Sequence, residues 1–182
     1  MFRRLCFAAA LLVSANVASA QPIATLSGGY TFVNWLTVNN ATVGAGAVDD
    51  RIVYYLQEKQ IGDLQSWLIF FDPSGTQSVN GTITFGETIN SIYTSSDDVN
   101  VNTAAYRLTP TVTYAGVALT GLEQDDAASF AGNTLSIDWT ASDPGDHIRV
   151  LTNVVPEPST YALMALGLAA MGAVSRRTRR RA

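Results

Sequence analysis

Trp67-Leu68-Ile69-Phe70-Phe71 runs straight into Asp72-Pro73-Ser74-Gly75. The first five residues are apolar on both faces of an extended chain. The next four form a turn signal. Five residues are too few for a buried helix but suit a central strand covered on both sides. Around it, Leu135, Ile137 and Trp139 alternate with Ser136, Asp138 and Thr140, and Ile83 and Phe85 alternate with Thr82 and Thr84. That period of two predicts strands with one wet face. Strands are expected at 24–26, 30–38, 51–57, 67–72, 82–85, 89–93, 107–114, 134–140 and 147–152. Turns are expected at Gly28-Gly29, Asn39-Asn40, Gly44-Ala45-Gly46, Gly116, Gly132-Asn133 and Asp143-Pro144-Gly145-Asp146. The pattern predicts an all-β, antiparallel β-sandwich of jelly-roll-like type over residues 21–153. No repeat of solenoid or propeller length is present. Trp35, Trp67, Trp139, Phe70 and Phe85 are the expected core anchors.

Composition limits the chemistry. Of 182 residues, 47% are hydrophobic and 14% are charged, which argues against disorder. Cys6 is the only cysteine and His147 the only histidine. An intramolecular disulfide, a Cys-based zinc site and a two-His metal motif are therefore excluded. Residues 21–155 hold four basic and fourteen acidic residues, a net charge of −10. An acidic body of this kind does not suit nucleic acid, which needs clustered Lys and Arg.

The basic residues are concentrated at the ends. Arg3 and Arg4 precede an apolar run at 5–13, and Ala18-Ser19-Ala20 is a small-x-small cleavage site. Residues 1–20 thus read as a secretory signal peptide, cut between Ala20 and Gln21 and handled by the Sec translocon. At the other end, Val155-Pro156-Glu157-Pro158 precedes an uncharged stretch at 159–175. Seventeen residues are just enough for one transmembrane helix. Arg176, Arg177, Arg179, Arg180 and Arg181 follow and would hold the tail (176–182) in the cytoplasm.

The order of Pro-Glu-Pro, apolar span and arginine cluster over 154–182 resembles a PEP-CTERM sorting signal. The resemblance implies a bacterial protein exported by the general secretory route and recognised by an exosortase. It implies an inner-membrane-anchored precursor that is cleaved near the motif and then reaches the cell surface or the extracellular matrix. It also implies an association with exopolysaccharide. Phe85-Gly86-Glu87-Thr88-Ile89, Gly121-Leu122-Glu123 and the stretch 145–152 resemble recurrent pieces of such secreted ectodomains.

Four groups of residues in the middle region are candidates for chemistry. His147 beside Asp146 would need a serine and a shared face for nucleophilic hydrolysis, yet strand neighbours point oppositely and no Gly-x-Ser-x-Gly elbow exists. Asp143 with Asp146, and Asp97 with Asp98, are candidate calcium ligands from loops, with solvated turns as the ordinary alternative. Glu58, Glu87 and Glu123 would serve glycoside hydrolysis only if two of them faced each other about 5–10 Å apart. Tyr30, Trp35, Tyr54, Tyr55, Tyr93, Tyr106 and Tyr114 would form a sugar platform only if they shared an exposed face. The expectation is a non-enzymatic surface or matrix protein with a structural or adhesive role and no cofactor beyond calcium. The alternative is a secreted carbohydrate-binding module or carbohydrate-active enzyme.

Overall fold

The computed structural model describes residues 20–38, 42–43, 49–114, 120–154, 165 and 167–169. The chain divides into two units, residues 19–155 and residues 1–18 with 156–182. In the second unit the described residues, 165 and 167–169, are helical. Among the described residues no helix is long and apolar enough to cross a membrane. The signal-peptide expectation (with Ala18), the sorting motif Val155–Pro158, most of the span at 159–175 and Arg176–Arg181 lie outside the described residues, as do the turns at 39–40, 44–46 and 116.

Among its described residues the first unit has nine strands. They are β1 (Ile23–Leu26), β2 (Thr31–Asn34), β3 (Ile52–Ile61), β4 (Leu64–Phe71), β5 (Gln77–Thr84), β6 (Ile89–Tyr93), β7 (Ala127–Ala131), β8 (Thr134–Ala141) and β9 (Asp146–Asn153). A four-stranded sheet has the order β1-β5-β8-β7, and a five-stranded sheet the order β2-β3-β4-β9-β6. Residues of both sheets share one core, which holds Trp67, Ile69 and Phe71 of β4 with Val79, Ile83, Leu135, Ile137 and Trp139 of the other sheet. This unit is therefore a β-sandwich. Trp67 lies at its centre, and its indole N–H donates to Thr152 Oγ1 at 3.1 Å, which satisfies a polar atom in an apolar site.

The expectation for β4 holds. Its alternate residues Leu68 and Phe70 enter a second core on the outer face of the five-stranded sheet, with Trp35, Tyr54, Leu56, Val99 and Val112. That face is covered by a helical turn, α1 (Trp35–Val38), and by the β6–β7 connection. The connection contains a π-helical turn at Asp98–Asn102 and a 3₁₀ turn at Ala104–Tyr106. Trp35 meets Tyr54 and Phe70 edge-on, at centroid distances of 5.0 and 5.3 Å.

The structure corrects several expectations. β2 runs parallel to β3, so the sandwich is not wholly antiparallel. The strand expected at 30–38 stops at Asn34, because Asn34 Oδ1 accepts from the Leu36 amide at 3.0 Å and Thr37 Oγ1 donates to the Asn34 carbonyl at 2.8 Å. These bonds close a turn instead of extending a ladder. Residues 107–114 are turns whose one bridge joins Tyr114 to Val43. β7 was not expected at all.

The outer face of the four-stranded sheet follows directly from the register. Thr25, Thr82, Ser136 and Ser129 stand side by side across all four strands. The flanking rows are Ile23, Thr84, Thr134 and Ala131 on one side, and Asn80, Asp138 and Ala127 on the other, with Ser78 opposite Thr140 beyond. β5 and β8 pair through eight consecutive positions without a bulge, so this face is a regular lattice. Every residue in it is exposed except the half-buried Thr134.

Candidate functional site

Two buried polar sites sit on the five-stranded sheet, one in the middle of β9 and one at its start. The first is an ion pair. Glu58 and Arg149 are 91 residues apart in sequence, yet both side chains are fully buried. Arg149 Nε donates to Glu58 Oε2 at 2.6 Å and Nη2 donates to Oε1 at 2.9 Å. This is the two-pronged geometry that a planar guanidinium offers a carboxylate. The remaining nitrogen, Nη1, donates to the Val99 carbonyl and to the carbonyl and hydroxyl of Thr103. Ser66 Oγ donates to Glu58 Oε2 at 2.7 Å. Gln65 Nε2 donates to the Glu58 carbonyl at 2.9 Å.

An outer shell closes over the pair. Arg107 lies over the Tyr114 ring at 5.0 Å and donates from Nη2 to Asn100 Oδ1 at 2.9 Å. Burial, and then the charge of Arg149, lower the Arg107 pKa. Burial, followed by the charge of Glu58, raises that of Tyr114. The knot fastens the π-helical turn to the sheet. Because Glu58 is sealed and paired with Arg149, it is not available as a general acid or base.

The second site lies where β4 ends and β9 begins. Asp72 follows the apolar run and is fully buried, and neither carboxyl oxygen has a hydrogen-bond partner among the described residues. Burial, and then the charge of Asp143, push its pKa up to about 7. Asp146 is raised to about 7 by burial and then by the charges of Asp126 and Glu123. Gly145 has φ +79°, and a Cβ there would lie 2.5 Å from the Phe71 carbonyl oxygen and 2.7 Å from the Asp72 Cα. The turn and the strand end are therefore in backbone contact.

Asp146 and His147 diverge, as strand geometry requires. Asp146 pairs with Phe71 and His147 with Phe70, and these two phenylalanines enter opposite cores. The His147 ring lies 5.3 Å from that of Phe70. Burial, and then the charge of Arg149, lower its pKa to about 3. A buried neutral imidazole beside a phenylalanine is a core residue.

The remaining candidates do not assemble either. Asp143 is exposed and Asp146 is buried. The acid whose charge acts on Asp72 is Asp143, while those acting on Asp146 are Asp126 and Glu123. Asp97 is exposed. Asp98 accepts from Ser95 Oγ at 2.7 Å and Asn102 Nδ2 at 2.8 Å, which lowers its pKa and holds the helical turn. Among the described residues no three His, Cys, Asp or Glu side chains converge in a way that would hold a metal ion. Trp35, Tyr54 and Tyr55 are buried, while Tyr30, Tyr93, Tyr106 and Tyr114 are half-buried. No exposed aromatic platform results from these seven. Gln21 lies beside the sandwich, where its side chain bonds those of Gln57 (3.4 Å) and Asn34 (3.5 Å), and Ala20 is exposed.

Sequence reading missed Arg149 and Asp72. Arg149 was visible only as a lone cation inside an apolar strand, which calls for a partner but does not name one. Asp72 looked like the first residue of a turn.

No curated protein and no solved structure matches this chain. A family model does match, that of the PEP-CTERM protein-sorting motif, over residues 154–181, directly after β9. Such a motif implies an exported, membrane-anchored precursor that an exosortase recognises and processes. The chain thus carries a PEP-CTERM protein-sorting motif behind an all-β unit of two sheets.

Proposed function

We propose that this protein is an exosortase-sorted surface or extracellular-matrix protein whose β-sandwich acts structurally or adhesively, in association with exopolysaccharide. The sorting motif at 154–181 carries this reading, because it addresses the β unit to the outside of the cell. The unit's construction supports a passive role. Asp146 and His147 point to opposite faces of the sheet, and Glu58 is locked to Arg149. In this reading the protein passes the Sec translocon as a precursor that loses residues 1–20. It is held in the inner membrane through 159–175 and released or re-anchored by cleavage near Pro156-Glu157-Pro158.

The test has two parts. Intact mass of the protein recovered from its host should begin at Gln21 and end near the motif. The purified β unit should co-sediment with the host's own polysaccharide, and deletion of the gene should weaken biofilm or floc. Failure to bind, together with unchanged biofilm, would overturn the proposal.

A further inference from the structure

The outer face of the four-stranded sheet has an unusual make-up for a wet surface. Thirteen side chains point outward from it, eight of them Ser or Thr, and Asp138 is the one charge. A typical soluble surface is about a quarter to a third charged, so about three or four charges would be expected here. No Lys, Arg, Glu, Gln or aromatic residue is among them. The side chains are short, and the β-branched threonines are restricted at χ1, so little rotamer entropy is lost when a partner orders them. The unbroken β5–β8 register sets the hydroxyls on a grid of about 4.8 Å between strands and about 6.8 Å along them. Bulges interrupt the β3–β4 and β6–β9 pairings of the other sheet.

We infer that this face is a docking surface for a neutral polysaccharide chain, centred on the row Thr25, Thr82, Ser136 and Ser129. A hydroxyl both donates and accepts, and an uncharged sugar polymer offers the same kind of group repeatedly along its length. Each contact is weak because it replaces a bond to water. A periodic ligand on a periodic face adds many such contacts, and several molecules on one polymer gain avidity. Charge selects the class: the face has no cation and belongs to a segment of net charge −10, so an anionic polymer is repelled. The inference deepens the polysaccharide association proposed above and rests on it.

The test uses residues 21–154, which contain both cores of the compact β unit. Binding is measured by co-sedimentation and affinity electrophoresis on the host's own exopolysaccharide, dextran, cellulose and alginate. The wild type should bind a neutral polymer. The row variant Thr25→Val/Thr82→Val/Ser129→Ala/Ser136→Ala should bind at least about tenfold more weakly, since several hydrogen-bonding groups are lost, with an unchanged circular dichroism spectrum. Should that variant fail to fold, Ser129→Lys on the edge strand tests the same face; it should weaken neutral binding and favour alginate.

Wild-type binding that the row variant and Ser129→Lys leave within about twofold would overturn the site, while the proposed function stands. Preference of the wild type for alginate would overturn the neutral class. Wild-type self-association that the row variant abolishes, without polysaccharide binding, would make the face an interface between copies. No binding to any polymer, the host's own included, would remove the inference, and unchanged biofilm on deletion of the gene would then remove the reading beneath it as well.

Discussion

Glu58→Gln should be among the most damaging conservative changes in this protein. The carboxamide keeps the shape of the side chain but leaves the Arg149 charge without its counterion. Both partners have no solvent exposure, so water cannot replace the lost carboxylate. Breaking a buried pair from one side costs about 3–5 kcal/mol. For a domain of this size, at about 3 °C per kcal/mol, the melting temperature should fall by about 10–15 °C. The Glu58→Met/Arg149→Met double variant removes both charges and should stay within about 1 kcal/mol of wild type, because two desolvation costs vanish with the attraction. Urea unfolding of wild type, both single variants and the double variant gives the coupling directly. Hydrogen exchange adds a local readout, since amides of Asp98–Asn102 should exchange faster once Arg149 is gone. A Glu58→Gln cost below about 1 kcal/mol, typical of an exposed pair, would refute the reasoning. So would a double variant as unstable as the sum of the singles.

Asp72→Asn tests the unpartnered carboxyl. Its pKa is higher in the folded protein, about 7 against an ordinary 3.8, so its contribution is complete below about pH 4 and is lost as pH rises through 7. The Asn variant escapes that loss, and its melting temperature should rise above wild type by at least about 3 °C between pH 4 and 7; parallel melting curves would refute this. His147 tilts the other way. Its folded pKa of about 3 lies below the ordinary 6.5, so neutral His147 stabilises at high pH and that contribution is lost as pH falls from about 6.5 towards 3. His147→Phe should flatten this acid limb. Gly145→Ala forces a side chain against Phe71 and Asp72 at φ +79° and should cost at least about 2 kcal/mol in urea unfolding; a cost under 0.5 kcal/mol, as at an ordinary surface site, would contradict the close approach. Deleting Pro156-Glu157-Pro158 in the host should leave a precursor that retains its arginine tail, read by intact mass.

Much of the sandwich was legible because burial writes itself into periodicity. The unalternating run at 67–71 required cover on both faces, and β4 divides its side chains between two cores. The alternation at 134–140 became β8, with Leu135, Ile137 and Trp139 inward. Failures came where local chemistry or a distant face decided the conformation. Trp35-Leu36-Thr37-Val38 has strand-like composition, but the Asn34 side chain bends it into a turn. Leu108 and Val112 look like strand residues but cap the second core from a connection, and the Val112 amide donates to the Leu108 carbonyl at 2.9 Å. β7 is Ala-Ala-Ser-Phe-Ala, whose alanines have little strand preference. The Glu58–Arg149 pair joins residues 91 apart, and no local pattern can announce such a partner. The hydroxyl rows depend on which strands are neighbours, and that order emerged only with the sheets.

The place where the sorting segment leaves the sandwich has a mechanical consequence. β9 is an interior strand, paired along its length with β4 on one side and over residues 149–152 with β6 on the other. Asn153 is still held, its amide donating to the Thr88 carbonyl at 2.9 Å, and the Val154 amide donates to the Asp63 carbonyl at 2.8 Å. Tension entering at residue 154 pulls along β9, so it shears two ladders whose hydrogen bonds share the load at once. A tether fixed to an edge strand such as β1 would load a single ladder. In the proposed role, a unit moored through β9 is thus attached at a strand held by two ladders instead of one.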